Sequence, residues 1–171
     1  MSLLRGLVGL GVVAVALVLQ VSLFPYLAWH GIVPDLCLLV VVGAGLTRGP
    51  EFAMVLGFAA GVALDLAPPA DHVAGRWALA LVVVGYVAGR VRRDVRPSAG
   101  SVVATVAACS FVGGSVFAFT GLLLQDPLVG TGELLLAIVL GVAWDLVLTP
   151  FVLPPVMALF ARLEPGREPV S

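Results

Sequence analysis

The chain has 171 residues, 61% of them hydrophobic and 11% charged. Soluble domains carry roughly 25% charged residues, and no core of this size could bury so much apolar surface, so a soluble globular domain and a disordered chain are both excluded. Net charge is −1, all nine basic residues are Arg, and apolar runs of ~20 residues recur throughout, as in a polytopic membrane protein.

Arg5 and the apolar run behind it look like a secretion signal, but Gly6 to Trp29 exceeds the apolar core of such signals, about 7–15 residues. This stretch predicts a first transmembrane span over about 6–28, with Gln20 its one strongly polar interior residue and Trp29 at the interface. A second, short span is predicted over 31–47. Pro34 and Asp35 suit its first helical turn, where Pro needs no N–H donor and an acid meets the positive helix end. Arg48-Gly49-Pro50-Glu51 reads as a tight turn into a third span over 52–67, which carries Asp65 and stops at Pro68-Pro69. A polar loop with Asp71 and His72 leads to a fourth span over 77–89. The most charged stretch of the chain follows, with Arg90, Arg92, Arg93 and Arg96. A fifth, cleanly apolar span covers 102–124. Past Asp126, a sixth starts at Glu133, contains Asp145 and meets Pro150. One straight helix from Glu133 to Leu163 would be about 46 Å long, against a hydrocarbon core of ~30 Å. A break at Pro150 is therefore predicted, with a kinked or interfacial extension over 150–163 and a short cytoplasmic tail over 164–171.

The fold class expected is an all-α polytopic membrane protein of six transmembrane helices in a single integral membrane domain, 1–171. With six spans, eight arginines (Arg5, Arg48, Arg90, Arg92, Arg93, Arg96, Arg162, Arg167) fall on one side and only Arg76 on the other. By the positive-inside rule the first side is cytoplasmic, together with both termini.

No predicted loop has room for a soluble catalytic domain. Cys37 and Cys109 lie inside apolar runs and suggest neither a disulfide nor a metal; no cofactor is indicated. The residues that ask for an explanation are Asp65 and Asp145, because an acid in a transmembrane helix costs ~2.5–3.5 kcal/mol on insertion scales. They share a frame: Gly61-Val62-Ala63-Leu64-Asp65-Leu66 and Gly141-Val142-Ala143-Trp144-Asp145-Leu146, as an inverted repeat would give. Asp65, just before Pro68, suits the headgroup level, where an acid costs little. Asp145 is deeper and would accept hydrogen bonds from Thr149 or from backbone freed near Pro150. A structural role, proton or ion handling, and an aspartyl-type hydrolase stay open, although the residues before the two acids, Leu64 and Trp144, do not match the last. The environment of Asp145 discriminates: a scaffold predicts a satisfied hydrogen bond, or a helix interface without a continuous cavity, whereas a carrier using Asp65 and Asp145 needs a pocket of ~300 Å³ or more with convergent polar groups. Gly57 and Gly61, and likewise Gly85 and Gly89, have the spacing that lets helices approach closely. The Gly85/Gly89 stripe is expected to pack inside the bundle and the Gly57/Gly61 stripe to be open to a partner helix. The Arg90–Arg96 cluster reads as a topology determinant meeting anionic headgroups, with docking of a cytoplasmic partner as the sharper alternative.

Val33-Pro34-Asp35-Leu36, then Gly57-Phe58-x-x-Gly61-x-x-x-Asp65, then Gly75-Arg76-Trp77-Ala78-Leu79 and Val84-Gly85-Tyr86-x-x-Gly89-Arg90, together resemble the MreD family of bacterial rod shape-determining proteins. Asp145 followed by Pro150-Phe151 and a basic terminus fits as well, so the likeness extends over about residues 3 to 163; Pro154-Pro155 departs from it. The resemblance implies a six-helix, non-enzymatic scaffold of the cell-elongation machinery, related in fold to the substrate-binding subunits of vitamin transporters. It implies association with an MreC-like protein, and through it with MreB-like filaments and peptidoglycan synthases. It brings no catalytic residues.

Overall fold

A computed structural model describes residues 3–28, 32–68, 73–91, 98–124 and 131–163. Within these, six α-helices follow one another: α1 (Leu3–Ser22), α2 (Leu36–Arg48), α3 (Pro50–Leu66), α4 (Arg76–Val91), α5 (Ala99–Leu123) and α6 (Thr131–Arg162). Three stretches are long and apolar enough to cross a membrane, Leu3–Tyr26, Ala99–Leu123 and Gly132–Arg162; the helix Leu36–Arg48 is apolar but shorter. Trp29, His30, Asp71, His72, Arg92, Arg93, Arg96, Asp126, Arg167 and the tail 164–171 lie outside the described residues.

Local chemistry sets most helix ends. α1 gives way after Ser22 to a 3-10 turn, Phe24–Leu27, earlier than the predicted Ala28, because Pro25 has no N–H with which to continue the ladder. α2 begins after Pro34 and Asp35 rather than with them: Asp35 is the N-cap, its Oδ1 accepting the Leu38 N–H at 2.9 Å. Gly49, at φ 88°, makes the turn between α2 and α3 in a conformation that favours glycine, and Pro50 then opens α3 at a position where its missing N–H costs nothing. Ser98 caps α5 through the Ser101 N–H.

α2 is the centre of the bundle. Every residue from Leu36 to Leu46 is buried, and α2 packs against all five other helices. Close approach depends on glycine. A Cβ on Gly45 would run into Ala88 and the Gly89 backbone, and one on Gly43 into the Val156 side chain. α3 and α4 form the most extensive helix pair, and both small-residue stripes belong to it. A Cβ on Gly57 would meet the Leu81 backbone, on Gly61 the Ala78 backbone, on Gly85 the Ala53 backbone and on Gly89 the Pro50 backbone. The expectation that the Gly57/Gly61 stripe is open to a partner therefore fails: it is consumed by α4.

α6 corrects a second expectation. Its helix does not end at Pro150 but runs unbroken through Pro150, Pro154 and Pro155 to Arg162. A proline inside a helix costs ~3 kcal/mol, and packing of the same segment offsets that cost. Leu153, Val156 and Phe160 are buried in the core, with the Phe160 ring edge-on to Phe52 at 5.6 Å between centroids. In a membrane bundle such burial stabilises through close packing rather than through transfer out of water.

Candidate functional site: two buried helix N-termini and a cavity

The first N–H groups of any helix have no partner within it, and in a water-poor interior each must find an acceptor. Two helices of this bundle, α2 and α4, meet that need with acids from elsewhere in the chain.

At α4 the acceptor is Asp65, at the far end of α3. Its Oδ2 accepts the Gly75 N–H at 2.8 Å and the Ala78 N–H at 3.1 Å, while Oδ1 accepts the Trp77 N–H at 3.1 Å. Asp65 is only 4% exposed, covered by the start of α4. It is a cap supplied across a loop, with a negative charge at the positive end of a helix dipole. Beside it, Arg76 is buried with its guanidinium 4.0 Å from the centre of the Phe117 ring, donating to the Phe117 carbonyl at 2.8 Å. This ties the start of α4 to the end of α5.

At α2 the acceptors come from three places. Gln20 of α1 accepts the Cys37 N–H at 3.1 Å, Asp35 accepts the Leu38 N–H, and Asp145 of α6 accepts the Asp35 N–H through Oδ1 at 2.8 Å. The other oxygen of Asp145 accepts the Ser110 hydroxyl of α5 at 2.6 Å. Asp145 is 2% exposed. Thr149 donates to the Asp145 main-chain carbonyl at 2.7 Å rather than to its carboxylate, and the partners expected near Pro150 are replaced by Asp35 and Ser110.

Asp145 thus pairs with Asp35, not with Asp65. Next to this pair a cavity of about 380 Å³ lies between α2, α4, α5 and α6, with Asp35, Asp145, Ser110 and Arg76 as its polar lining and Trp77 and Phe117 among its apolar walls. Both halves of the discriminating test are met at once: Asp145 is satisfied, and a cavity large enough for a small molecule adjoins it. Gly141 borders that cavity and a Cβ there would meet nothing, while Gly61, in the same hexapeptide frame, is jammed against α4. The two frames therefore do different work. Reading the sequence missed Asp35 and Ser110 as partners of Asp145. Asp35 carried a signal, an acid at the start of an apolar span; Ser110, one hydroxyl within α5, carried none.

Residues 1–131 match the family model of the rod shape-determining protein MreD. The chain belongs to the MreD family. No curated protein and no solved structure matches it. Family membership and the long apolar helices make it a membrane protein with a role in rod-shape determination, in a family of shape-determining rather than enzymatic proteins. The match ends where α6 begins: Asp35, Asp65, Arg76 and Ser110 lie within it, and Gly141, Asp145 and Pro150 beyond it.

Proposed function

We propose that this MreD-family chain is a non-enzymatic membrane scaffold of the bacterial cell-elongation machinery, supporting lateral peptidoglycan synthesis through an MreC-like protein and, through that partner, MreB-like filaments and peptidoglycan synthases. In this reading the chain is one integral membrane domain over 1–171, related in fold to the substrate-binding subunits of vitamin transporters. It crosses the cytoplasmic membrane six times with both termini in the cytoplasm. The observation that carries the reading is the family match over residues 1–131. The eight-to-one division of arginines supports the orientation, and Arg90, Arg92, Arg93 and Arg96 form the cytoplasmic basic loop that meets anionic headgroups. Asp65, Asp145, Gly57, Gly61, Gly141 and Pro150 act structurally, as caps, close contacts and cavity edge.

With the stripes of α3 and α4 occupied by each other, the partner-facing surface falls to α1 and α6. Leu7, Val15, Val139 and Val147 of these helices are exposed apolar side chains. Single cysteines at Val15 or Val147 should cross-link to an MreC-like partner in membranes, and the chain should restore rod shape to a strain lacking its MreD. A chain that inserts normally, yet neither restores shape nor co-purifies an MreC-like protein, would overturn the proposal. A carrier working through Asp65 and Asp145 has less support: both oxygens of Asp65 accept α4 N–H groups, and Asp65 does not line the cavity.

A further inference from the structure

The start of α2 holds one carboxylate more than its helix end requires. Asp145 uses both oxygens, on the Asp35 N–H and on Ser110. Asp35 uses Oδ1 on the Leu38 N–H, with the Gln20 side chain and the Cys37 N–H also next to its carboxyl group. Its Oδ2 is buried with no hydrogen-bond partner among the described residues, although the residue is 9% exposed and lines the cavity. A buried carboxylate oxygen without a donor is costly, and two adjacent carboxyl groups in a low-dielectric site are satisfied by a shared proton or by a cation between them. Arg76, which also lines the cavity, holds the Phe117 ring and carbonyl. The rest of the lining is mostly apolar, including Val33, Leu38, Trp77 and Ile138. A volume of about 380 Å³ exceeds that of a single ion or water many times over.

We propose that the cavity between α2, α4, α5 and α6 is a binding site for a small amphiphile with a primary ammonium head, the head on Asp35 and Asp145 and the apolar body along Trp77, Phe117 and Ile138. Its lining comes from one end of the bundle: the starts of α2 and α4, the later half of α5 and the first half of α6. In the six-span topology this end faces outward, so the ligand arrives from the extracytoplasmic side. Only that direction of entry rests on the topology; the site itself does not depend on the scaffold reading. The ammonium could belong to a free amine or to a lipid headgroup, and the two sources are separable.

The purified full-length protein in phosphatidylglycerol nanodiscs is titrated with octylamine, octanoate and octanol, following its thermal midpoint and tryptophan fluorescence. Octylamine should raise the midpoint saturably by several degrees, and octanoate should not. Gly141→Leu fills the cavity from a position where a Cβ meets nothing, and should abolish the shift while the protein stays folded. Asp35→Asn keeps an N-cap acceptor for Leu38, since Asn and Asp cap about equally well, and should weaken the octylamine response about tenfold. Octylamine binding unaffected by added phosphatidylethanolamine assigns the free amine, and competition by that lipid assigns the headgroup. Equal shifts with all three probes, an undiminished response in Gly141→Leu, or the same stabilisation by sodium chloride alone would overturn the site.

Discussion

Asp65 and Asp145 each bring an ionisable group into apolar surroundings at ~2.5–3.5 kcal/mol on insertion scales, and each accepts backbone N–H groups that would otherwise stay unpaired at roughly 1–3 kcal/mol apiece. Asp65, with three such partners, offsets its own insertion cost. Asp65→Ala should therefore destabilise the protein by about 2–4 kcal/mol. Asp65→Asn keeps one acceptor oxygen and should lose about half as much, read as thermal midpoints in detergent; equal losses would mean that charge, not acceptor count, matters at this cap. At α2 the acceptor is divided among three helices, so Ser110→Ala, which frees one oxygen of Asp145, should cost about 1–3 kcal/mol without displacing α2.

At the scale of elements, the α3–α4 pair is set by backbone contact across glycine. Gly61→Ala would push a methyl into the Ala78 backbone, which cannot yield as a side-chain tip can. Gly61→Ala and Gly89→Ala should each destabilise the fold by about 1–3 kcal/mol or more, seen as increased protease sensitivity in membranes. Gly141→Ala, in open space, should be tolerated; equal sensitivity in all three would remove the distinction. The helix bounds were largely legible in the sequence because their signals are local: Pro34-Asp35, Gly49-Pro50 and the Pro after α3. The partnering of the stripes was not, because a Gly-x-x-x-Gly spacing states that something packs closely without naming what. Continuity of α6 was illegible for a related reason: proline propensity is read from three residues, whereas the burial of Leu153, Val156 and Phe160 depends on α2 and α3. The candidate site fell between these cases. Asp145 stood out as an intramembrane acid, but its partners Asp35 and Ser110 lie 110 and 35 residues away, and nothing short of the fold joins them.

For the whole molecule, three short helices stand beside three long ones, and the shortest, α2, is enclosed by the rest. α2, α3 and α4 have 13, 17 and 16 residues, or about 20–26 Å at ~1.5 Å per residue, less than a ~30 Å hydrocarbon core. Neighbouring helices rather than lipid surround α2, so its length need not match the bilayer. The proposed topology makes a direct forecast: reporter fusions after Arg96 and after Arg167 should report cytoplasm, and one at His72 the outside. A cytoplasmic signal at His72 would require a different pairing of helices with membrane crossings.

The divided cap of α2 also has a consequence in time. Asp35 and Gln20 are made with the helix they serve or just before it, but Asp145 leaves the ribosome 110 residues after the N–H it accepts. At roughly 5–20 residues per second, this is a delay of roughly 5–20 seconds. Throughout that interval the start of α2 has a polar group to hydrate and no α6 to hydrate it against. The central helix therefore takes its final depth last, when the sixth arrives, and during biogenesis the newborn chain needs either water or an insertion factor at that spot.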